Sequence, residues 1–224
     1  LSRDVSHELR SPLARMNVAL EIAKQKSNGE LSPTLARIET ESGRLNEMIS
    51  RLLTLSRLET GTRDFSREAI DFSELVEQIV DDADFEANAK NRSVKIVHMD
   101  RCVVEGNESL LQSAVENVLR NAVKYTAEGT AVEVTVTAST GDVTYSVRDH
   151  GEGVPNEELS NLFRPFYRVG EARERKTGGI GLGLAIAQQA VAAHNGRIAA
   201  KNTGNGLVVE IVLKRKLDGV SGTA

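Results

Sequence analysis

Ser6-His7-Glu8-Leu9-Arg10-Ser11-Pro12-Leu13 near the start, and Gly178-Gly179-Ile180-Gly181-Leu182-Gly183 far downstream, decide how this chain is read. Val5, Leu9, Leu13, Met16 and Leu20 are spaced 4, 4, 3 and 4 apart, one helical stripe running to about Gln25. On that helix His7 is displayed with Ser11 at i+4 on the same face. Pro12 removes a helix donor and bends the chain just after the site. Neutral imidazole is a nitrogen nucleophile near neutral pH, and Glu8 can take up its proton or hold one tautomer. A solvated surface histidine is the bland alternative for this pair taken alone. The glycine stretch opens a helix at Leu184, where free N–H groups form an anion site. It is no Rossmann fingerprint, which would need glycine at Leu184, and no P-loop occurs. Arg173-Glu174-Arg175-Lys176 just before it is polar, as a lid should be, though a plain flexible loop has the same composition.

Working outward, Ser27-Asn28-Gly29 breaks the first helix, and Ser32-Pro33 starts a second with Ser32 as N-cap. Leu35, Ile38, Leu45, Met48, Ile49, Leu52, Leu55 and Leu58 continue the helical period. Two helices on a short loop form an antiparallel hairpin that cannot enclose a core, so a homodimer completing a four-helix bundle is expected. Thr60-Gly61-Thr62-Arg63-Asp64 then breaks the pattern. The expected domains are a helical hairpin at 1–60, a linker at 61–68, an α+β domain at 69–217 and a tail at 218–224. In the α+β part, helices are expected at 72–89, with Ser73 as cap, at 108–125 and at 184–193. Strands are expected at 94–98, 103–105, 131–138, 143–149, 197–202 and 207–213, making helices over a mixed sheet.

Composition narrows the function. The chain has 224 residues, 40% apolar and 27% charged, with a net charge of −4 and no long basic run, which argues against nucleic acid as partner. Aromatics make up 4% and tryptophan is absent, so base stacking is not the theme. The single cysteine, Cys102, excludes an internal disulfide and fits a reducing compartment. No targeting segment is visible; the uncharged run 177–196 holds too many glycines and amides to span a bilayer. The chain starts without Met inside a helical pattern and is therefore expected to be a fragment of a longer protein.

Three further stretches carry chemistry. Asn117 and Asn121 stand at i and i+4 on one face of an otherwise apolar-backed helix, with Lys124 near its end. Carboxamide oxygens suit a hydrated Mg2+ bridging phosphates; two surface asparagines are the plain alternative. Asp149-His150-Gly151-Glu152-Gly153 ends a strand, where a carboxylate can accept from an exocyclic amine such as adenine's. Its glycines let the backbone approach a ring or sugar, and an ordinary tight turn competes. Leu162-Phe163-Arg164-Pro165-Phe166-Tyr167-Arg168 is an aromatic and basic cluster fit to anchor the lid. His98, His150 and His194 lack metal spacing, so no zinc site is expected.

Taken in order, these five motifs resemble the catalytic region of bacterial two-component sensor histidine kinases, over 1–217. Within that family Arg37-Ile38-Glu39-Thr40-Glu41, the 163–168 cluster and Glu171-Ala172-Arg173 are similar to the envelope-stress branch. The resemblance implies a dimerisation and phosphotransfer hairpin followed by a Bergerat-type ATP-binding sandwich. It implies that His7 is the phosphoacceptor, Glu8 its base, and Ser11 the residue placing a water for dephosphorylation. Asn121 would hold Mg2+ with Asn117 beside it, Lys124 and Tyr125 would border the nucleotide, and Asp149 would read the adenine amine. Gly151 and Gly153 would shape that pocket, while Gly179, Gly181, Leu182 and Gly183 would close over the phosphates. ATP and Mg2+ are the implied cofactors, and an aspartate on a response-regulator receiver domain is the implied phosphate acceptor. The fragment would lie on the cytoplasmic side of a bacterial inner membrane, held there only by a preceding region. The hydrolytic relatives' glutamate is replaced by Asn117, a poor base, so ATP should wait for His7. An ATP-gated dimerisation scaffold without chemistry, and a member acting mainly as a phosphatase, are the rival functions.

Overall fold

The computed structural model describes residues 18, 22–23, 32–59, 66–169 and 181–216. The chain divides into two compact units, Leu1–Gly61 and Thr62–Ala224. In the first unit residues 18 and 22–23 are helical, and helix α1 runs Ser32–Glu59. Leu53, Leu55 and Ser42 on α1 are buried. Ile38, Leu45 and Leu52, seven residues apart, are 43%, 46% and 39% exposed. Seven residues fall about 20° short of two full helical turns, so these three form one apolar seam.

The second unit begins with β1 (Glu68–Asp71), followed by α2 (Phe72–Asn88), β2 (Ser93–Met99), β3 (Val103–Gly106) and α3 (Glu108–Tyr125). Strands β4 (Ala131–Ala138) and β5 (Asp142–Arg148) come next, then a 3₁₀ helix (Asn156–Phe163) and α4 (Gly183–Ala193). Strands β6 (Arg197–Asn202) and β7 (Leu207–Lys214) close the unit. The main sheet has the order β2-β4-β5-β7-β6; β2 and β4 are parallel and every other pair is antiparallel. Strands β1 and β3 form a separate antiparallel ribbon.

Alternation explains why the helices lie on one face of the sheet. Val132, Val134 and Val136 on β4 and Val143, Tyr145 and Val147 on β5 are at most 1% exposed, while the residues between them are half-buried. Helix α3 supplies Leu111, Val115, Val118 and Leu119 to that core. Phe72 meets the Tyr145 ring edge-to-face at 6.2 Å, joining α2 to the central strand. Burying one such side chain contributes about 1.5–3 kcal/mol.

Two details differ from the sequence expectation. Asp71, not Ser73, caps α2: its Oδ1 accepts from the Glu74 N–H at 3.0 Å and from the Ser73 hydroxyl at 2.5 Å. Asp71 precedes the helix with extended backbone, which is what the N-cap position requires, whereas Ser73 already lies inside it. Glu68, expected in the linker, opens β1 because it pairs with Gly106 of β3. The loop at 27–31, the turn at 61–65 and the tail at 218–224 fall outside the described residues. Among the described residues no helix is long and apolar enough to cross a membrane.

Candidate functional site

Three of the sequence motifs converge in the second unit. The first is the end of α3. Asn107 caps the helix by accepting the Leu110 N–H at 3.1 Å, and the eighteen residues end at Tyr125, where Thr126 turns extended with ψ 147°. The Thr126 hydroxyl, itself buried, accepts the His150 N–H at 3.1 Å. That bond joins the end of α3 to the Asp-Gly turn. A methyl group on Gly151 would come within 2.5 Å of the Tyr125 carbonyl oxygen, so glycine permits this approach.

Asp149 lies just past the end of β5, is 4% exposed, and is held by backbone donors. Its Oδ1 accepts the Gly151 N–H at 2.9 Å and the Leu207 N–H at 3.2 Å. Its own N–H donates to the Leu207 carbonyl at 2.9 Å. The other carboxylate oxygen bonds to no described residue. Burial pushes the Asp149 carboxyl up from its ordinary value of 3.8, against the two N–H donors and His150, which lower it. A buried carboxylate with one oxygen fixed by backbone and the other open is a ready acceptor for an amine on a flat, apolar ring.

Asn117 and Gly183 bring the other two motifs together. The Asn117 amide nitrogen donates back to the Ser113 carbonyl at 2.8 Å and to its hydroxyl at 3.3 Å. Its Oδ1 lies 3.0 Å from where a Cβ on Gly183 would stand, so the first residue of α4 abuts the asparagine helix. Gly181 takes φ +74° and packs against the Phe166 backbone, and its carbonyl accepts the Phe166 N–H at 2.9 Å. Leu182 is fully buried and its carbonyl starts α4 by accepting the Ile186 N–H at 2.9 Å. The aromatic cluster and the end of the glycine stretch are thus one structure. Phe166 itself holds φ +64°, a left-handed backbone unusual for a large side chain.

Asn121 is half-buried one turn beyond Asn117, and its carboxamide bonds to no described residue. Lys124 does not reach out alone: its Nζ donates to the Tyr125 hydroxyl at 3.0 Å and lies 4.6 Å from that ring's centre. Gly153 takes φ +72° in the turn after Asp149. His7, Glu8, Ser11 and Gly179 fall outside the described residues, as do Arg173 to Lys176.

Other reactive side chains are occupied elsewhere. Cys102 is buried, and desolvation pushes its thiol up to about 11, which keeps it unreactive. His194 is buried between α3 and α4, its Nε2 accepting the Asn107 N–H at 2.9 Å and its Nδ1 donating to the Ala190 carbonyl at 2.7 Å. Among the described residues no cluster of acids, His and Cys could hold a metal. A separate cleft of about 240 Å³ lies beside β3, His194 and the end of β7, and none of the motif residues lines it. Three of its four cations are engaged: Arg67 with the Ala193 carbonyl, Lys214 with Asp142 and Arg215 with the Ser139 carbonyl.

The sequence motifs missed the β6–β7 hairpin. Leu207 holds Asp149, Gly206 has no Cβ to obstruct the Asp149 carbonyl, and Asn202 grips the turn at Val154. In the sequence Gly204-Asn205-Gly206 announces only a hairpin; nothing in it says that the hairpin closes on Asp149.

Comparison with known proteins identifies the family. Residues 1–61 match the His Kinase A (phospho-acceptor) domain, and residues 106–217 match the Histidine kinase-, DNA gyrase B-, and HSP90-like ATPase family. The chain is 40% identical over 204 residues to the sensor histidine kinase CpxA of Escherichia coli K12, covering 91% of this chain and 44% of that one. It is 36% identical over 219 residues to the sensor protein kinase WalK of Staphylococcus saprophyticus, covering 94% and 35%. The chain thus spans less than half the length of these curated relatives. Among solved structures, full-length ShkA in complex with AMPPNP superposes with a TM-score of 0.82 at 24% identity, over 97% of this chain and 46% of that one. The mycobacterial sensor histidine kinase MprB superposes at 0.60 with 28% identity, over 67% of this chain and all of that one. With the phosphoacceptor and ATPase domains matched in that order, this chain belongs to the sensor histidine kinases.

Proposed function

We propose that this chain is the catalytic region of an ATP-dependent histidine autokinase that passes its phosphoryl group to a response regulator. The observation that carries the proposal is Asp149: a buried carboxylate, one oxygen held by two backbone N–H groups and the other open, in the turn that meets the end of α3. The open oxygen accepts the exocyclic amine of adenine. Gly151 and Gly153 let the base and sugar lie close to backbone. Asn117, Lys124 and Tyr125 border the phosphates, and the α4 start, with Gly179, Gly181, Leu182 and Gly183, closes on them. Mg2+, when bound, would offset the phosphate charge, and the Asn121 carboxamide oxygen would hold it.

His7 then attacks the γ-phosphorus with a ring nitrogen. A nitrogen–phosphorus bond forms, the bond from phosphorus to the bridging oxygen breaks, and ADP leaves. Glu8 accepts the imidazole proton. Most of the acceleration comes from positioning and charge neutralisation. Asn117 spends its amide nitrogen on Ser113 and offers no base, which keeps water from competing with His7. The phosphoryl group next passes to an aspartate of the receiver domain and leaves His7 free, and Ser11 places the water that later hydrolyses that aspartyl phosphate and releases inorganic phosphate.

The chain works as a homodimer. The seam of Ile38, Leu45 and Leu52 supports this, because a second copy of α1 is the partner whose stripe matches it in length and period. Sensor relatives more than twice as long support placing this region on the cytoplasmic side of an inner-membrane protein, with the sensing part before it.

Incubated with Mg2+ and γ-labelled ATP, the wild-type chain should gain an acid-labile, base-stable label. Protein that binds ATP yet never gains label would overturn the proposal in favour of a nucleotide-gated scaffold.

A further inference from the structure

We propose that Asn202 is a positioning residue for the adenine pocket, fixing the turn that follows Asp149 and thereby the aim of the open carboxylate oxygen. This rests on the nucleotide reading given above. Asn202 is the last residue of β6, and its carboxamide is used at both ends. Its Oδ1 accepts the Val154 N–H at 3.0 Å, and its Nδ2 donates to the Val154 carbonyl at 2.6 Å and to Asn156 Oδ1 at 2.9 Å. One side chain therefore satisfies both backbone groups of Val154, as a neighbouring strand would. A donor and an acceptor side by side on one carbon are needed, as the carboxamides of Asn and Gln carry them.

The surrounding geometry makes this clasp a gauge of the pocket. Gly153, at φ +72°, lies against Asn202: a Cβ there would stand 3.0 Å from Asn202 Oδ1. The other arm of the same hairpin holds the start of the turn, through the Leu207 N–H on Asp149 Oδ1 and the Asp149 N–H on the Leu207 carbonyl. So β7 grips the turn at Asp149 and β6 grips it at Val154. Between these grips Gly151 donates its N–H to Asp149 Oδ1, the bond that orients the carboxylate. A shift at Val154 has a short path through Gly153 to Gly151. Asn156, the third partner, opens the 3₁₀ helix that leads toward Phe166 and Gly181. The same amide thus ties the base-reading turn to the segment that carries the glycine stretch.

The test measures Mg-ATP and Mg-GTP affinity in the full chain for the wild type, Asn202→Asp and Asn202→Ala. Asn202→Asp keeps size and acceptor but sets a carboxylate oxygen against the Val154 carbonyl. Both variants should weaken ATP binding about tenfold, the worth of one or two lost hydrogen bonds, and leave GTP binding unchanged. In the labelling reaction the KM for ATP should rise with kcat unaltered. Equal weakening of ATP and GTP would overturn the proposal, because a residue that merely holds the hairpin together affects both. No weakening of either would overturn it as well. Should neither variant fold, amide exchange in the wild type decides: ADP must slow Gly151 and Val154 together, and unchanged exchange at Val154 contradicts the role. Wild type that fails to prefer ATP over GTP would strike at the adenine reading itself, a different failure from loss of the Asn202 effect.

Discussion

The helical unit and the nucleotide unit solve the burial problem in opposite ways. On α1 every seventh residue of one seam, Ile38, Leu45 and Leu52, stays about 40% exposed or more. In the other unit Leu119, Val132, Val134 and Tyr145 are sealed to 0%. A single helix offers one stripe and must borrow a surface to bury it, whereas a sheet under three helices encloses its own core. The unit that borrows its partner is the one carrying the phosphoacceptor, and the self-contained unit carries the donor site.

The largest effect that would break this contrast is at the seam. Leu45→Glu places a charge in each half of a dimer interface, and the dimer dissociation constant should rise at least about a hundredfold. Sedimentation at several concentrations reads it, and nucleotide affinity per chain should not move. A variant that still dimerises as the wild type does would mean the seam faces something other than a second copy.

Asp149→Asn sharpens the contrast from the other side. Asparagine can keep the Gly151 and Leu207 donors on its Oδ1, but its amide then points a donor at the adenine amine. ATP affinity should fall about ten- to hundredfold, measured by calorimetry. Because burial raises the Asp149 carboxyl, the ionised side chain costs stability once pH rises through that raised value. At pH 7 the unliganded variant should therefore melt no lower than the wild type, so binding and stability part company.

The smallest effect is a pH dependence confined to the nucleotide unit. Burial lowers the His194 pKa below 6.5, the Arg67 charge adds to it, and the Ala190 carbonyl opposes it. Its Nε2 accepts the Asn107 N–H and loses that bond when it takes a proton. The unfolded chain binds the proton first, so this contribution is complete above pH 6.5 and is lost as pH falls from there through the lowered folded value. Thermal melts between pH 7.5 and 5 should show it, and His194→Gln should flatten the profile. A wild-type profile that is flat across this range would remove His194 from the account.

How much of this was legible in the sequence varied with the physics of each part. Helix α3 could be read because Leu111, Val115, Val118, Leu119 and Ala122 repeat at the helical period, and β4 because Val132, Val134 and Val136 alternate. Strand β1 left no such trace: four residues, one of them buried, are strand only because β3 pairs with them. The 3₁₀ helix was hidden for a similar reason, buried only at Phe163. Asp149 stood out through its glycines, but one of its two N–H donors, Leu207, lies 58 residues on, and Asn202, which clasps Val154 in the same turn, lies 48 residues beyond Val154. Contacts so distant in sequence carry no local pattern, so the candidate residues were readable and the scaffold around them was not.

The most direct test of the central claim is to locate the phosphate. After reaction with Mg-ATP, phosphorus NMR and peptide mapping under basic conditions should place one phosphoryl group per labelled chain on His7, and His7→Gln should bind ATP as the wild type does while gaining none. Phosphate found on another residue, or retained in His7→Gln, would contradict the account.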